Sequence, residues 1–153
     1  MTPTLELTPP PADEHWKEVL CPLHEMTAER VDEIELAVGA LPGVDTPVKH
    51  IFTPGLYARE IFMPRGAIVV SKIHKTEHPY VISKGRVSVW TEADGILKLE
   101  APFTGVTKPG TRRVLYIHKN TVWTTFHAGD ETNVDDIEER IIEKRVPVLK
   151  EGV

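Results

Sequence analysis

The stretch from Leu56 to His127 constrains this chain most. It holds six short segments rich in Val, Ile, Thr, Tyr, Phe and Trp, with no helical period between them. They run Leu56 to Met63, Ala67 to His74, Tyr80 to Trp90, Ile96 to Glu100, Arg113 to His118 and Thr121 to His127. β-branched and aromatic residues suit the pleated, half-buried surface of a strand. Turn signals separate the segments: Pro64-Arg65-Gly66, Asp94-Gly95 and Pro109-Gly110. Asp-Gly suits a tight hairpin and Pro-Gly a type II turn, because glycine takes positive φ without steric cost. Six strands without an intervening helix point to a sandwich or barrel.

The flanks read differently. Residues 1–12 include Pro3, Pro9, Pro10 and Pro11, the composition of an extended arm. Residues 13–47 read as a helical lead-in: Asp13 to Leu20 as a short helix, then Thr27 to Ala40 as a longer one. In the second, Val31, Ile34, Val38 and Leu41 recur at spacings of three and four. Thr27 is a plausible N-cap and Pro42-Gly43 a stop. The β domain is then 48–130, and 131–153 is a helix with a tail. Asn133 is placed to cap a helix over Val134 to Lys144, with Asp135 and Asp136 in its first turn. Its stripe is Val134, Ile137 and Ile141.

Several function classes recede on composition. The 153 residues suit one domain, and the net charge of −5 comes without a long basic block. Nucleic-acid binding needs clustered Lys and Arg against phosphates, so it is not expected. The Thr27 to Ala40 helix carries Glu29, Asp32, Glu33 and Glu35, which is wrong for a recognition helix. Cys21 is the single cysteine, which excludes an intramolecular disulfide and a four-thiolate zinc site. No apolar run reaches the ~20 residues of a membrane span. Met1 to Asp13 lacks the pattern of a signal peptide, so a cytoplasmic location is the expectation.

Residues 66–85 carry the chemistry. His74 and His78 lie four apart, and His74-Lys75-Thr76-Glu77-His78 matches the H-x-x-E-H string of one metallopeptidase class. That chemistry needs a helix. Pro79 disfavours helical geometry at His78, and strand formers flank the segment on both sides. A strand, loop and strand is the better reading.

Read so, the segment resembles the first motif of the cupin superfamily, G-x5-H-x-H-x3-E-x6-G. Gly66 and Gly85 take the glycine positions and His74 the second histidine position. Lys72 stands at the first histidine position and His78 at the glutamate position. The second motif, G-x5-P-x-G-x2-H-x3-N, is matched more loosely. His118 stands at its proline, Asn120 at its second glycine, Trp123 at its histidine and His127 at its asparagine, with Gly110 out of register. The resemblance covers roughly residues 56–127. It implies a single jelly-roll β-barrel, a homodimer, and one divalent metal held by histidines. The chain also looks like small cupin-like proteins of bacteriophages and prophages.

Two readings of the pocket follow. In the first, Trp123, Thr125 and His127 share a strand face, so His127 joins His74 and His78. Three imidazoles would suit Zn²⁺, Fe²⁺, Ni²⁺ or Mn²⁺ in a dioxygenase, isomerase or lyase. In the second the pocket is metal-free. Alternation puts Lys72 with His74 on an inner face, where Lys72, His74 and His78 would bind a carboxylate, phosphate or sugar acid. Tyr80, Trp123 or Tyr116 would stack on a ring. Arg112-Arg113 could add to an anion site but reads rather as an exposed turn, and Glu77 reads as a solvated loop carboxylate rather than a general base; His118 reads as a hydrogen-bonded rim residue, and His15, His24 and His50 likewise as structural. The functional expectation is a small cupin-type protein binding a divalent metal, a small anionic organic ligand, or both. The alternative is a non-catalytic binding or assembly protein, phage-related and structural, that reuses the barrel and docks partners through its arm and helices.

Overall fold

A computed structural model describes residues 28–40 and 43–144. The expected N-terminal arm, the Asp13 to Leu20 helix, Cys21, the Thr27 cap and Pro42 lie outside the described residues. The described chain runs helix α1 (Ala28–Gly39), then strands β1 (Val48–Thr53), β2 (Leu56–Met63), β3 (Ile68–Val70), β4 (Ile73–His74), β5 (His78–Thr91), β6 (Gly95–Glu100), β7 (Phe103–Thr107) and β8 (Val114–Ala128). Helix α2 (Val134–Ile141) and strand β9 (Ile142–Glu143) follow. Among the described residues no helix is long and apolar enough to cross a membrane.

All pairings are antiparallel. The spine is the pair β5–β8, matched from Tyr80 opposite Thr125 to Trp90 opposite Val114. On the far side of β8, β3 pairs its first part and β2, backed by β1, its second. On the far side of β5, β7 pairs the first part and β6 the second. This is a mainly β, jelly-roll arrangement of antiparallel strands. Its interior holds Met63, Ile82, Val87, Val89, Leu99, Leu115, Ile117 and Trp123. The neighbours Val114 and Tyr116 face outward instead, against Val31 and Ile34 of α1, as strand alternation requires. Arg112 fastens that helix, bonding Asp32 at 2.7 Å and also Glu35. At the other end Ile137 and Ile141 of α2 pack on Tyr57. Asn133 caps α2 as expected, its side chain accepting from the Asp136 N–H at 2.9 Å.

Four boundaries differ from the sequence reading. Arg113 to His118 and Thr121 to His127 are one strand, because Lys119 stays paired with Arg86 across the expected break. Ala67 to His74 is two strands. Ser71 is tied to the Arg113 backbone in both directions, and the chain then leaves β8 to pair with β9. That same ribbon ends α2 at Ile141 rather than Lys144, since Ile142 is already extended. Strands β1 and β7 carry exposed alternate residues around few strand-forming apolar ones, and the sequence reading did not separate them.

The register of β5 against β8 shifts between Ile82 and Val87. Gly85 sits within this bulge at φ +105°, a conformation that disfavours any side chain. A Cβ there would lie 2.6 Å from the Asn120 carbonyl oxygen and the Thr121 Cα, both backbone atoms. Gly85→Ala is therefore expected to destabilise the fold by about 3 kcal/mol or more. Chemical denaturation would measure this; a loss below about 1 kcal/mol would mean that the bulge relaxes freely.

Candidate functional site

Three strands bring three imidazoles together. His78 opens β5 and shares its inward face with Tyr80 and Ile82. His127 lies near the end of β8, on the face of Trp123 and Thr125. His74 is on β4, outside the main sheet, held by the ribbon to β9. His74 and His78 thus stand on separate extended segments, which removes the helical H-x-x-E-H reading. The ring centroids are 4.4 Å apart for His74–His78, 4.4 Å for His78–His127 and 5.4 Å for His74–His127. One nitrogen from each ring lies within 4.8 Å of the other two.

Hydrogen bonds set which nitrogens are bare. The His78 Nδ1–H donates to the Thr76 carbonyl at 3.0 Å, so Nε2 carries the lone pair. The His127 Nε2 is 3.0 Å from the Thr125 hydroxyl, while its buried Nδ1 has no partner. Burial holds all three rings neutral. His74 is lowered to about 3, first by burial and then by the charges of His78, His127, Arg59 and Arg113. His127 is lowered to about 4 by burial, then by His78, Arg140 and Arg59. His78 is lowered by burial, against the opposing pull of the Thr76 bond. Neutral imidazoles with bare nitrogens are what a transition metal requires. Nitrogens on one ion at about 2.1 Å stand roughly 3 Å apart or slightly more, so the rings need close by only about an ångström. The donor set therefore fits a divalent metal, though the set does not identify which. Glu77 takes no part, being exposed and paired with Lys108 at 2.6 Å.

Beside the histidines lies a cavity of about 190 Å³. Ile61, Met63, Val69 and Leu115 give it apolar walls, and Ile141 and Ile142 border it on the side of α2. Trp123 lines it, with Tyr80 stacked behind at 4.6 Å. Tyr80 has room there because its strand partner is Gly105, where a Cβ would lie 2.6 Å from the ring. Lys72 reaches only the rim. Its side chain is 56% exposed and its Nζ is 3.1 Å from Glu138 Oε1. The alternation expected to carry Lys72 inward fails because the strand breaks at Ser71 and Lys72. Tyr116 is on the opposite face, against α1. His118 bonds Ser88 Oγ at 2.7 Å and His50 bonds the Tyr57 hydroxyl at 2.6 Å, both in structural roles as expected.

Two cavity residues were not placed by the sequence reading. Arg113 was weighed with Arg112 as an addition to an anion site, an exposed turn being the preferred reading. Arg112 is instead the fastening of α1, and Arg113 enters the cavity. Its guanidinium lies 5.1 Å from the Tyr80 ring centre and 5.6 Å from that of Trp123, and it donates to Thr107 Oγ1 at 3.0 Å. Arg59 lines the cavity from β2, between Tyr57 and Ile61 on the same face. The available signal was parity: Arg59 alternates with Tyr57, Ile61 and Met63, and Arg113 with Leu115 and Ile117.

No protein-family model and no curated protein matches the sequence. Solved structures do match in shape. The DMSP lyase DddQ from Ruegeria pomeroyi DSS-3 superposes with a TM-score of 0.51 at 17% identity, over 63% of this chain and 55% of that one. KdgF from Halomonas sp. gives 0.47 at 19% identity, over 64% and 88% of the two chains. An RmlC-like cupin family protein with a double-stranded β-helix fold, from Methanocaldococcus jannaschii, gives 0.47 at 13% identity, over 57% and 84%. At such identities the likeness is one of fold. The strand order and the inward three-histidine group make this chain a mainly β, antiparallel barrel with a histidine-bearing pocket.

Proposed function

We propose that this chain binds a divalent metal through His74, His78 and His127, and a small anionic organic ligand in the adjoining cavity. One observation carries the metal half. His127 Nδ1 is buried with no hydrogen-bond partner, and it belongs to a ring 4.4 Å from His78. A buried acceptor left without a partner costs about 1–3 kcal/mol, and a shared cation would satisfy it. A nitrogen donor set suits Zn²⁺, Fe²⁺ or Ni²⁺, with Mn²⁺ a poorer match. Bound there, the metal would supply Lewis acidity toward a ligand oxygen. The protein's own part is to keep the imidazoles neutral, to fix the His78 ring through Thr76, and to seal the site with α2. The anionic half follows from the positive groups that line the cavity.

Elemental analysis of the untagged protein as purified tests the metal. Near-stoichiometric metal is expected, and its loss in a His74→Ala, His78→Ala double variant. A wild type that keeps no Fe²⁺, Ni²⁺, Mn²⁺ or Zn²⁺ after saturation and desalting would sink the proposal.

Acid gives an independent check on the metal-free protein. His74 and His127 titrate at about 3 and about 4 when folded, below the ~6.5 of an unfolded histidine. Between those values the unfolded chain binds more protons, so stability rises with pH. It is complete above about 6.5 and drains as pH falls toward 4 and 3, by up to about 1.4 kcal/mol per pH unit for each histidine. Urea midpoints measured from pH 7 to 4 should fall, and His74→Phe should flatten the decline. A flat wild-type profile would show that the rings are not held neutral.

A further inference from the structure

The cavity charge does not balance. Its ionised lining groups are Arg59, Lys72, Arg113 and Glu138. Glu138 is taken by Lys72 at the rim, which leaves two guanidinium groups facing the cavity without a carboxylate. Arg59 forms no ion pair among the described residues, and the Arg113 guanidinium donates to the neutral Thr107 hydroxyl and bonds the Tyr80 side chain, with Asp94 acting on it electrostatically but outside ion-pair distance. Burying a cation without an anionic partner is costly, so folded proteins rarely keep one idle. Elsewhere this same fold pairs its part-buried arginine: Arg112 meets both Asp32 and Glu35.

The backbones of both arginines are held in place. Arg59 is fixed in the middle of β2, with β1 on one side and β8, at Thr125, on the other. Arg113 has its backbone doubly bonded to Ser71, and its plane lies against Tyr80 and Trp123. Both line the same cavity as His74 and His78.

We propose that Arg59 and Arg113 together bind the carboxylate of a small organic acid, whose hydrocarbon part lies against Trp123, Leu115 and Ile61. This rests on the reading of the cavity as a ligand site, and it moves the anion-binding role from Lys72 to the two arginines. The guanidinium fork matches the two oxygens of a carboxylate and binds them by charge-assisted bonds. Size sets the class. A cavity of about 190 Å³ lies below the ~300–1,000 Å³ of a drug-sized site. The acid is therefore short, of a few carbons or a single small ring. The apolar walls favour such a molecule over a bare phosphate, which offers them nothing to bury.

The test is calorimetric titration of the full chain, stripped of metal, at pH 7. Acetate, succinate and benzoate are the probes, with acetamide, succinamide, benzamide and inorganic phosphate as controls. At least one acid should bind, and its amide should not. R59Q and Arg113→Lys should each weaken that acid by about tenfold or more, the loss of one charge-assisted pair. R86Q, at a half-buried arginine outside the cavity that faces Glu100, should leave it unchanged. Circular dichroism checks each variant's folding, and if Arg113→Lys does not fold, R59Q decides. Three results would overturn the proposal: no acid binds, binding survives R59Q, or phosphate binds while the acids do not. Because the chain carries no metal in this assay, its failure and that of the metal site are read separately.

Discussion

The ladder between β5 and β8 is the constraint on which the rest depends. Each strand is long, 14 and 15 residues, and each serves two different neighbours along its length. One pair of strands therefore ties together both ends of the barrel. The bulge at Gly85 divides them. Before it the even-numbered His78, Tyr80 and Ile82 face the interior; after it the odd-numbered Val87 and Val89 do. A strand without that shift would turn one of these sets outward, since side chains alternate with period two. The bulge thus lets one strand supply a histidine to the site and valines to the core.

The two ends are chemically distinct. Val87, Val89, Leu99 and Ile117 fill one end as ordinary apolar packing. At the other, imidazoles, guanidinium groups and aromatic rings crowd around a cavity. Polar groups buried there contribute less to stability than apolar ones of similar size. The fold offsets this with a cover: Ile137 and Ile141 of α2 pack on Tyr57, and the β4–β9 ribbon holds His74 over the opening. Helix α2, through Glu138 and Ile141, and β9, through Ile142, are accordingly part of the site rather than an appendage to the barrel.

The histidines were legible because their residue type is scarce and their spacing is local. His78 and His127 sit where strand alternation puts them. His74 joins them for another reason than alternation, by way of a short ribbon whose partner lies at Ile142. The aromatic pair Tyr80 and Trp123 was also legible, although its members stack on each other and only Trp123 borders the cavity. Lys72 and the arginines were exchanged. Lys72 was read from a strand that does not continue, and Arg113 from an exposed turn, whereas it directly precedes β8 and lines the cavity.

The sequence by itself determined the β character of residues 56–127, the turn glycines Gly66, Gly95 and Gly110, the cap at Asn133 and the three histidines of the pocket. All of these follow from local rules: backbone freedom, side-chain period and the chemistry of single residues. The tertiary structure decided which charges face inward and which are answered. Arg112 and Arg113 are adjacent and chemically identical, yet one meets Asp32 and Glu35 across α1 and the other meets only rings and a hydroxyl. Whether a buried charge has a partner depends on residues some 80 positions away along the chain. That information lies in the packing of elements against one another, and no local pattern carries it.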